Sequence, residues 1–357
     1  MSSQTANFYH ATCDTRKAIV VDLGFLGDTI QLVPALSEIK RHYPQAELHV
    51  LTTPVGAEVL NLVSGVHRVW SVELHPQRRS LRQQWKLIRA LRRERFDLAF
   101  NFSGADRTLF WTVLTGARYR VAHAAGRKHF WNSWLIPLWV ARQPPAMPVY
   151  EQRRQVLAAC GLSLAPPCWS LAVPKEATRK AESLVPSGAI HFSVNASTPL
   201  KEWPLEKWIA LAKRLFAENP SLRIVASGSC QPREQEQLRS LAAGVGDTRL
   251  SLLTGLSIAE LAAGLQRCRL HLGADSGVLH LAVAVGLPTI SIFRDYQDAR
   301  AWMPTGPEHR IFKMSCQCVN QHEQPCLTVN RAECLAKLDV RAVEMAVREL
   351  LQISTPG

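Results

Sequence analysis

Residues 18–28 read Ala18-Ile19-Val20-Val21-Asp22-Leu23-Gly24-Phe25-Leu26-Gly27-Asp28, a short apolar run that breaks into a glycine-bearing loop. A run of this length closed by glycines predicts a buried strand. Beyond it Ile30, Val33, Leu36 and Ile39 recur at helical spacing, and the pattern ends near Tyr43-Pro44. Three further strands are expected at Leu48-His49-Val50-Leu51, at residues 66–74 and at residues 98–102, with helical segments between them. Strands that alternate with helices predict a parallel sheet covered on both faces, with ligands at the carboxyl ends of the strands.

The alternation breaks over residues 123–170, a stretch rich in proline and tryptophan, and then resumes. A second series is expected at residues 189–192, 222–226, 250–253, 270–272 and 289–292. The chain therefore divides near residues 165–175 into two doubly wound α/β halves facing a cleft. We set the halves at residues 1–170 and 171–338. A helix over about residues 339–351, within a terminal segment 339–357, is expected to cross back to the first half.

The bulk numbers agree with two folded domains. The chain has 357 residues, 47% of them hydrophobic and 20% charged, enough for a sizeable core in each half. The first seventeen residues lack the apolar run of a secretory signal, and no stretch approaches the roughly 18 apolar residues of a membrane span. A cytoplasmic protein is expected. Forty-two Lys and Arg against 29 Asp and Glu give a net charge of +13. That excess favours polyanionic partners without choosing among nucleic acid, lipid surfaces and phosphorylated substrates.

Three loops carry the chemistry. In the first, Gly24 and Gly27 permit a tight turn, and Asp28 falls at the start of the following helix. Asp28 reads either as an N-cap or as a general base; no G-x-G-x-x-G is present, which argues against a nicotinamide enzyme. In the second, Asn195-Ala196-Ser197-Thr198-Pro199-Leu200-Lys201-Glu202-Trp203-Pro204 places two hydroxyls and a lysine at a strand end, where they can clamp a pyrophosphate or simply cap the next helix. In the third, Gly273-Ala274-Asp275-Ser276-Gly277-Val278-Leu279-His280 opens a helix whose free N–H groups suit an anion. His280, one turn in, reads as a ligand contact or as core.

These blocks together resemble glycosyltransferase family 9, the heptosyltransferases. The motifs are G-x-x-G-D-T-I-x-x-x-P-A-L at residues 24–36, S-T-x-x-K-x-W-P at 197–204 and G-A-D-S-G-x-x-H-L-A at 273–282, in the family's order and spacing. The resemblance implies the GT-B fold, an N-terminal acceptor-binding half and a C-terminal half that binds the nucleotide sugar. It further implies an inverting, metal-independent transfer of heptose from ADP-heptose to an anionic glycan or glycolipid, such as the lipopolysaccharide inner core. In that reading Asp28 is the base on the acceptor side, beside Gly24 and Gly27, and Lys201 stabilises the departing diphosphate. Ser197 and Thr198 contact donor phosphate, Asp275 faces the donor sugar, and Ser276, Gly277 and His280 form the pyrophosphate site. Glu234 resembles the ribose-binding glutamate and Leu256 the adenine-pocket segment, although ordinary core is an equal reading of Leu256. Two positions depart from the family. Relatives usually carry arginine or lysine where this chain has Asp22, and serine where it has Gly24.

Residues 77–96 read as one amphipathic helix, with Leu81, Trp85, Ile88 and Leu91 on one face and Arg78, Arg82, Lys86, Arg89 and Arg93 on another. The basic stripe is either a solvated face or a docking surface for the inner membrane or a phosphorylated glycolipid. Nucleic acid is not expected, because no nucleic-acid-binding motif accompanies the charge. The aromatic run at residues 130–139 reads as core or as a mobile loop. Cys316, Cys318, Cys326 and Cys334 read either as reduced structural thiols or as ligands of a structural zinc or iron, away from the three loops. Two competing functions remain open on sequence alone: a GT-B-shaped sugar-nucleotide epimerase, and a non-catalytic glycan- or lipid-binding relative.

Overall fold

Ala18, Ile19, Val20 and Val21 are all fully buried in strand β1 (Lys17–Val21). A strand buried on both faces needs a continuous apolar run, and this one supplies it. Alternate side chains divide between two cores. Ala18 and Val20 pack with Leu32, Val33 and Leu36, whereas Ile19 and Val21 pack with Trp70, Leu91, Phe96 and Trp111 on the opposite face. Burying each such aliphatic side chain contributes ~1.5–3 kcal/mol.

The computed structural model describes residues 8–74, 80–124, 135–296, 298–316 and 324–353. The chain forms two units, Met1–Ala172 and Val173–Gly357. In the first, β1 is joined by β2 (Glu47–Thr52), β3 (Arg68–Ser71), β4 (Leu98–Asn101), β5 (Tyr119–His123) and β6 (Leu138–Val140). In the second run β7 (Ala189–Ser193), β8 (Ile224–Gly228), β9 (Leu250–Thr254), β10 (Cys268–Ala274), β11 (Thr289–Asp295) and β12 (His309–Ser315). Every pairing within each sheet is parallel.

The sheet orders are β3-β2-β1-β4-β5-β6 and β12-β11-β10-β7-β8-β9. Counted from the first strand of each unit, both follow the doubly wound order 3-2-1-4-5-6. The order reverses between β1 and β4 in one unit and between β7 and β10 in the other. The three motif loops follow β1, β7 and β10, so the topology places each at the crevice-forming end of its own sheet.

Three strands lie outside the expected set: β5, β6 and β12. The helix expected over residues 77–96 runs Leu81–Glu94, and its facing is corrected. Ile88 and Leu91, with Leu87 and Ala90, pack onto the first sheet, but Leu81 and Trp85 point outward. The first turn of this helix extends beyond the core that its later turns cover. Arg78, Arg79 and the aromatic residues 130–134 lie outside the described residues. The C-terminal helix Val340–Ile353, expected to reach the first half, lays Val343, Val347 and Leu350 into the core of the second unit. It packs on the helix Leu205–Glu218, where Glu344 meets Arg214.

Candidate active site

The loop after β1 folds back on itself. The helix Leu26–His42 carries Asp28 in its first turn, where Oδ2 accepts the Phe25 N–H at 3.0 Å. Gly24 makes this possible by absence: a Cβ there would lie 2.3 Å from Asp28 Cβ and 2.6 Å from Cγ. The N–H of Gly24 donates in turn to Asp22 Oδ1 at 3.0 Å. Phe25 between them is 86% exposed.

A third group completes this cluster. Arg153, from the helix Val149–Ala159, places Nη2 2.9 Å from Asp22 Oδ2 and 3.7 Å from Asp28 Oδ1, and its Nη1 donates to the Asp28 carbonyl. Burial raises the Asp28 carboxyl above its ordinary value. The Arg153 charge opposes that rise and Asp22 adds to it, so desolvation wins over the looser of the two ion pairs. Asp28 is therefore both a helix-start acceptor and a carboxylate with raised proton affinity. Arg153 was not anticipated from the sequence; the adjacent Arg153-Arg154 on an otherwise apolar helix face is the signal that was available.

In the second unit, Lys201 closes a one-turn 3₁₀ segment Pro199–Lys201 whose start is capped by Thr198 Oγ1. Its Nζ lies 2.7 Å from Asp275 Oδ2. The Tyr296 hydroxyl donates to the same oxygen at 2.8 Å. Lysine, aspartate and tyrosine thus come together from the loops after β7, β10 and β11. Burial, reinforced by the Asp275 charge, raises the Tyr296 hydroxyl, which keeps its proton to donate. Tyr296 is the second group that sequence reasoning missed.

Ser276 is the N-cap of the helix Gly277–Ala284, with extended backbone and no capping bond from its side chain. Its Oγ is buried without a partner. Gly277 and Val278 are half-buried, which leaves N–H groups at the helix start without intrahelical acceptors. His280 is buried against Trp302, and burial holds its imidazole down at about 4, the Asp275 charge raising it and Lys201 lowering it. His280 is neutral at pH 7. Asn195, at the start of the loop after β7, is buried with neither amide atom partnered.

The other predicted residues sit nearby along the chain but in different contacts. Ser197 is exposed and Thr198 half-buried. Glu234 lies in the first turn of the helix Pro232–Val245, where Oε2 accepts the Ser229 N–H at 2.7 Å. Leu256, in the loop after β9, is half-buried. The loop after β7 is anchored by Glu202, which accepts the Ala196 N–H at 2.8 Å and Arg233 Nη1 at 2.7 and 2.9 Å.

Cys316, Cys326 and Cys334 are buried; Cys318 lies outside the described residues. The thiols of Cys316 and Cys334 share a hydrogen bond, and burial pushes Cys334 up to about 12. Elsewhere, Glu47, His49 and His67 cluster with metal-like spacing. However, Trp70 Nε1 donates to His49 Nδ1 at 3.0 Å, so neutral His49 carries its proton on the Nε2 that faces Glu47. That arrangement suits a hydrogen bond to the carboxylate and not a cation.

The profile of glycosyltransferase family 9 (heptosyltransferase) matches residues 84–331. The lipopolysaccharide core heptosyltransferase OpsX of Haemophilus influenzae is 21% identical over 79% of this chain and 80% of its own length. Lipopolysaccharide heptosyltransferase 1 of Pseudomonas aeruginosa is 25% identical over 78% of each chain. Among solved structures, the Escherichia coli heptosyltransferase WaaC with ADP superposes with a TM-score of 0.76 at 17% identity, covering 94% of this chain and 99% of that one.

Proposed function

We propose that this chain, which belongs to glycosyltransferase family 9, transfers heptose from ADP-heptose to an anionic glycan acceptor, the lipopolysaccharide inner core or a related glycoconjugate. The observation that carries the donor assignment is the convergence of Lys201 and Tyr296 on Asp275 beside the amino end of the Gly277–Ala284 helix, where the buried Ser276 hydroxyl has no partner. A helix start with open N–H groups and a neighbouring lysine is chemistry for a diphosphate. Ser197, Thr198 and Gly277 add donors around it, Glu234 binds ribose and Leu256 borders the adenine. The acceptor hydroxyl attacks the anomeric carbon in line as the carbon–oxygen bond to the diphosphate breaks. Its proton passes to Asp28, and ADP leaves with the electron pair. Lys201 supplies the positive charge that stabilises the leaving diphosphate, so the transfer runs without a metal. The raised proton affinity of Asp28 suits a base that must be ionised at neutral pH yet accept a proton in the transition state.

The reading places the chain in the cytoplasm at the inner face of the membrane. Among the described residues no helix is long and apolar enough to cross a membrane. A structural zinc or iron at Cys316, Cys318, Cys326 and Cys334 belongs to the same proposal, and the metal content of purified protein tests it separately. The deciding experiment for the transfer is calorimetric binding of ADP-, UDP- and GDP-sugars followed by product analysis with ADP-heptose. Preference for a UDP donor, or nucleotide release without sugar transfer, overturns the assignment.

A further inference from the structure

The helix Leu81–Glu94 turns outward the very residues that its apolar pattern assigns to the core. Leu81 is 74% exposed and Trp85 64%. With 3.6 residues per turn, Arg82 lies one turn before Trp85, Arg89 one turn after it, and Arg92 a further turn along, all on one face. These arginines, with Lys86 and Arg93, are exposed. The single acid of the helix, Glu94, is taken up elsewhere, at 2.7 Å from Lys17 and 3.2 Å from Arg68. The helix Asp106–Leu114 packs beside it and contributes a further exposed ring, Phe110.

A purely solvated face explains arginines but not a tryptophan in the middle of them. We infer that this face docks onto an anionic lipid bilayer, with Trp85 and Leu81 entering the headgroup layer and the arginines and Lys86 meeting lipid phosphates. Tryptophan prefers that layer because its ring is apolar and its N–H polar. A short helix with apolar anchors and a dense basic face lies in the interface plane and is selected by negative surface charge. The surface gives the acceptor reading a place where a lipid-linked glycan would be met. Its test uses neither donor nor acceptor, so it stands or falls apart from the transfer chemistry.

The test is flotation of the full chain with phosphatidylcholine vesicles, with and without roughly one-third phosphatidylglycerol. The expected result is flotation with the anionic vesicles alone, abolished near 1 M salt where the Debye length is about 3 Å. The Leu81→Ala/Trp85→Ala variant, unchanged in charge, should bind about tenfold more weakly, and Arg82→Glu/Arg89→Glu should not float. All four side chains are exposed, and matching melting curves would show that the fold is kept. The proposal fails if the wild type ignores anionic vesicles, or if the Leu81→Ala/Trp85→Ala variant floats like the wild type. It also fails if a single-stranded RNA binds more tightly than the vesicles and the same substitutions weaken it, which would make the face a nucleic-acid site.

Discussion

Arg153 Nη2 lies 2.9 Å from Asp22 Oδ2, a buried ion pair that joins the helix Val149–Ala159 to the loop after β1. Asp22 is therefore not an unmatched acid, and the same guanidinium leans on Asp28 at 3.7 Å. Removing it should act on both. Arg153→Gln leaves Asp22 buried and unpaired, a loss of ~3–5 kcal/mol by analogy with other broken buried pairs. The acid limb of the transfer rate should move to higher pH, because the charge that lowers Asp28 is gone. Arg153→Gln combined with Asp22→Asn should recover most of the stability, which a double-mutant cycle in denaturant measures.

Asp28→Asn should separate catalysis from folding. Loss of a general base costs ~10²–10⁴-fold in kcat. Stability should hold or rise, since the amide oxygen can still accept the Phe25 N–H and no longer carries a charge whose burial is unfavourable. The sign follows from linkage. A carboxyl raised in the folded state binds its proton more tightly there, so its contribution to stability falls as pH rises from the ordinary carboxylate range through the raised value. The variant should lose that slope in chemical melts taken at several pH values.

Gly24→Ala should damage the same carboxylate without touching its chemistry. The new methyl would need the space that Asp28 Cβ and Cγ occupy, and Asp28 would have to turn out of its bond to Phe25. A fall in kcat of at least about tenfold with little change in donor KM is the expected pattern, since only the acceptor-side group is displaced.

How far the sequence reveals this follows from its physics. Strands buried on both faces, β1 and β7 above all, announce themselves as apolar runs, and the boundaries at 18–21 and 189–192 need little correction. Strands β5 and β12 are only partly buried and carry arginine, histidine or lysine, so no apolar run marks them. Lys201 and Asp275 were legible because each stands in a dense local motif. Arg153 and Tyr296 were not, because their roles arise from contacts 131 and 21 residues away along the chain, Arg153 with Asp22 and Tyr296 with Asp275. Trp85 departs from its helical pattern for a related reason. Helical period finds an apolar face, but only the neighbouring elements determine how far the core extends beneath it.

Lys201→Ala and Tyr296→Phe should rank the two partners of Asp275. The lysine brings charge to the site and the tyrosine only a neutral donor. Lys201→Ala should lower kcat by ~10²–10³, the scale of losing one preorganised stabiliser of developing charge. Tyr296→Phe should cost about tenfold or less, in keeping with one neutral hydrogen bond. Equal effects on ADP affinity and no effect on turnover would assign both groups to ground-state binding alone.

Three of the buried histidines among the described residues predict acid lability independent of any substrate. Burial holds His191 down to about 3 and His280 to about 4, and His271 falls well below its ordinary value beside His191. The rings of His191 and His271 stack, with Nδ1 atoms 2.9 Å apart, so one donates and the other accepts, and the two cannot both be protonated. In the unfolded chain each would protonate near 6.5. Below that pH the unfolded state binds more protons, and each histidine removes up to ~1.4 kcal/mol per pH unit until its folded value is reached. The unfolding midpoint should fall steeply between about pH 6 and pH 4. His191→Gln, which keeps a hydrogen-bonding group toward Ser227, should flatten that fall. A diphosphate bound beside Ser276 adds negative charge near His280, and its imidazole should then titrate higher in proton NMR; an unmoved His280 resonance with ADP bound would place the diphosphate elsewhere.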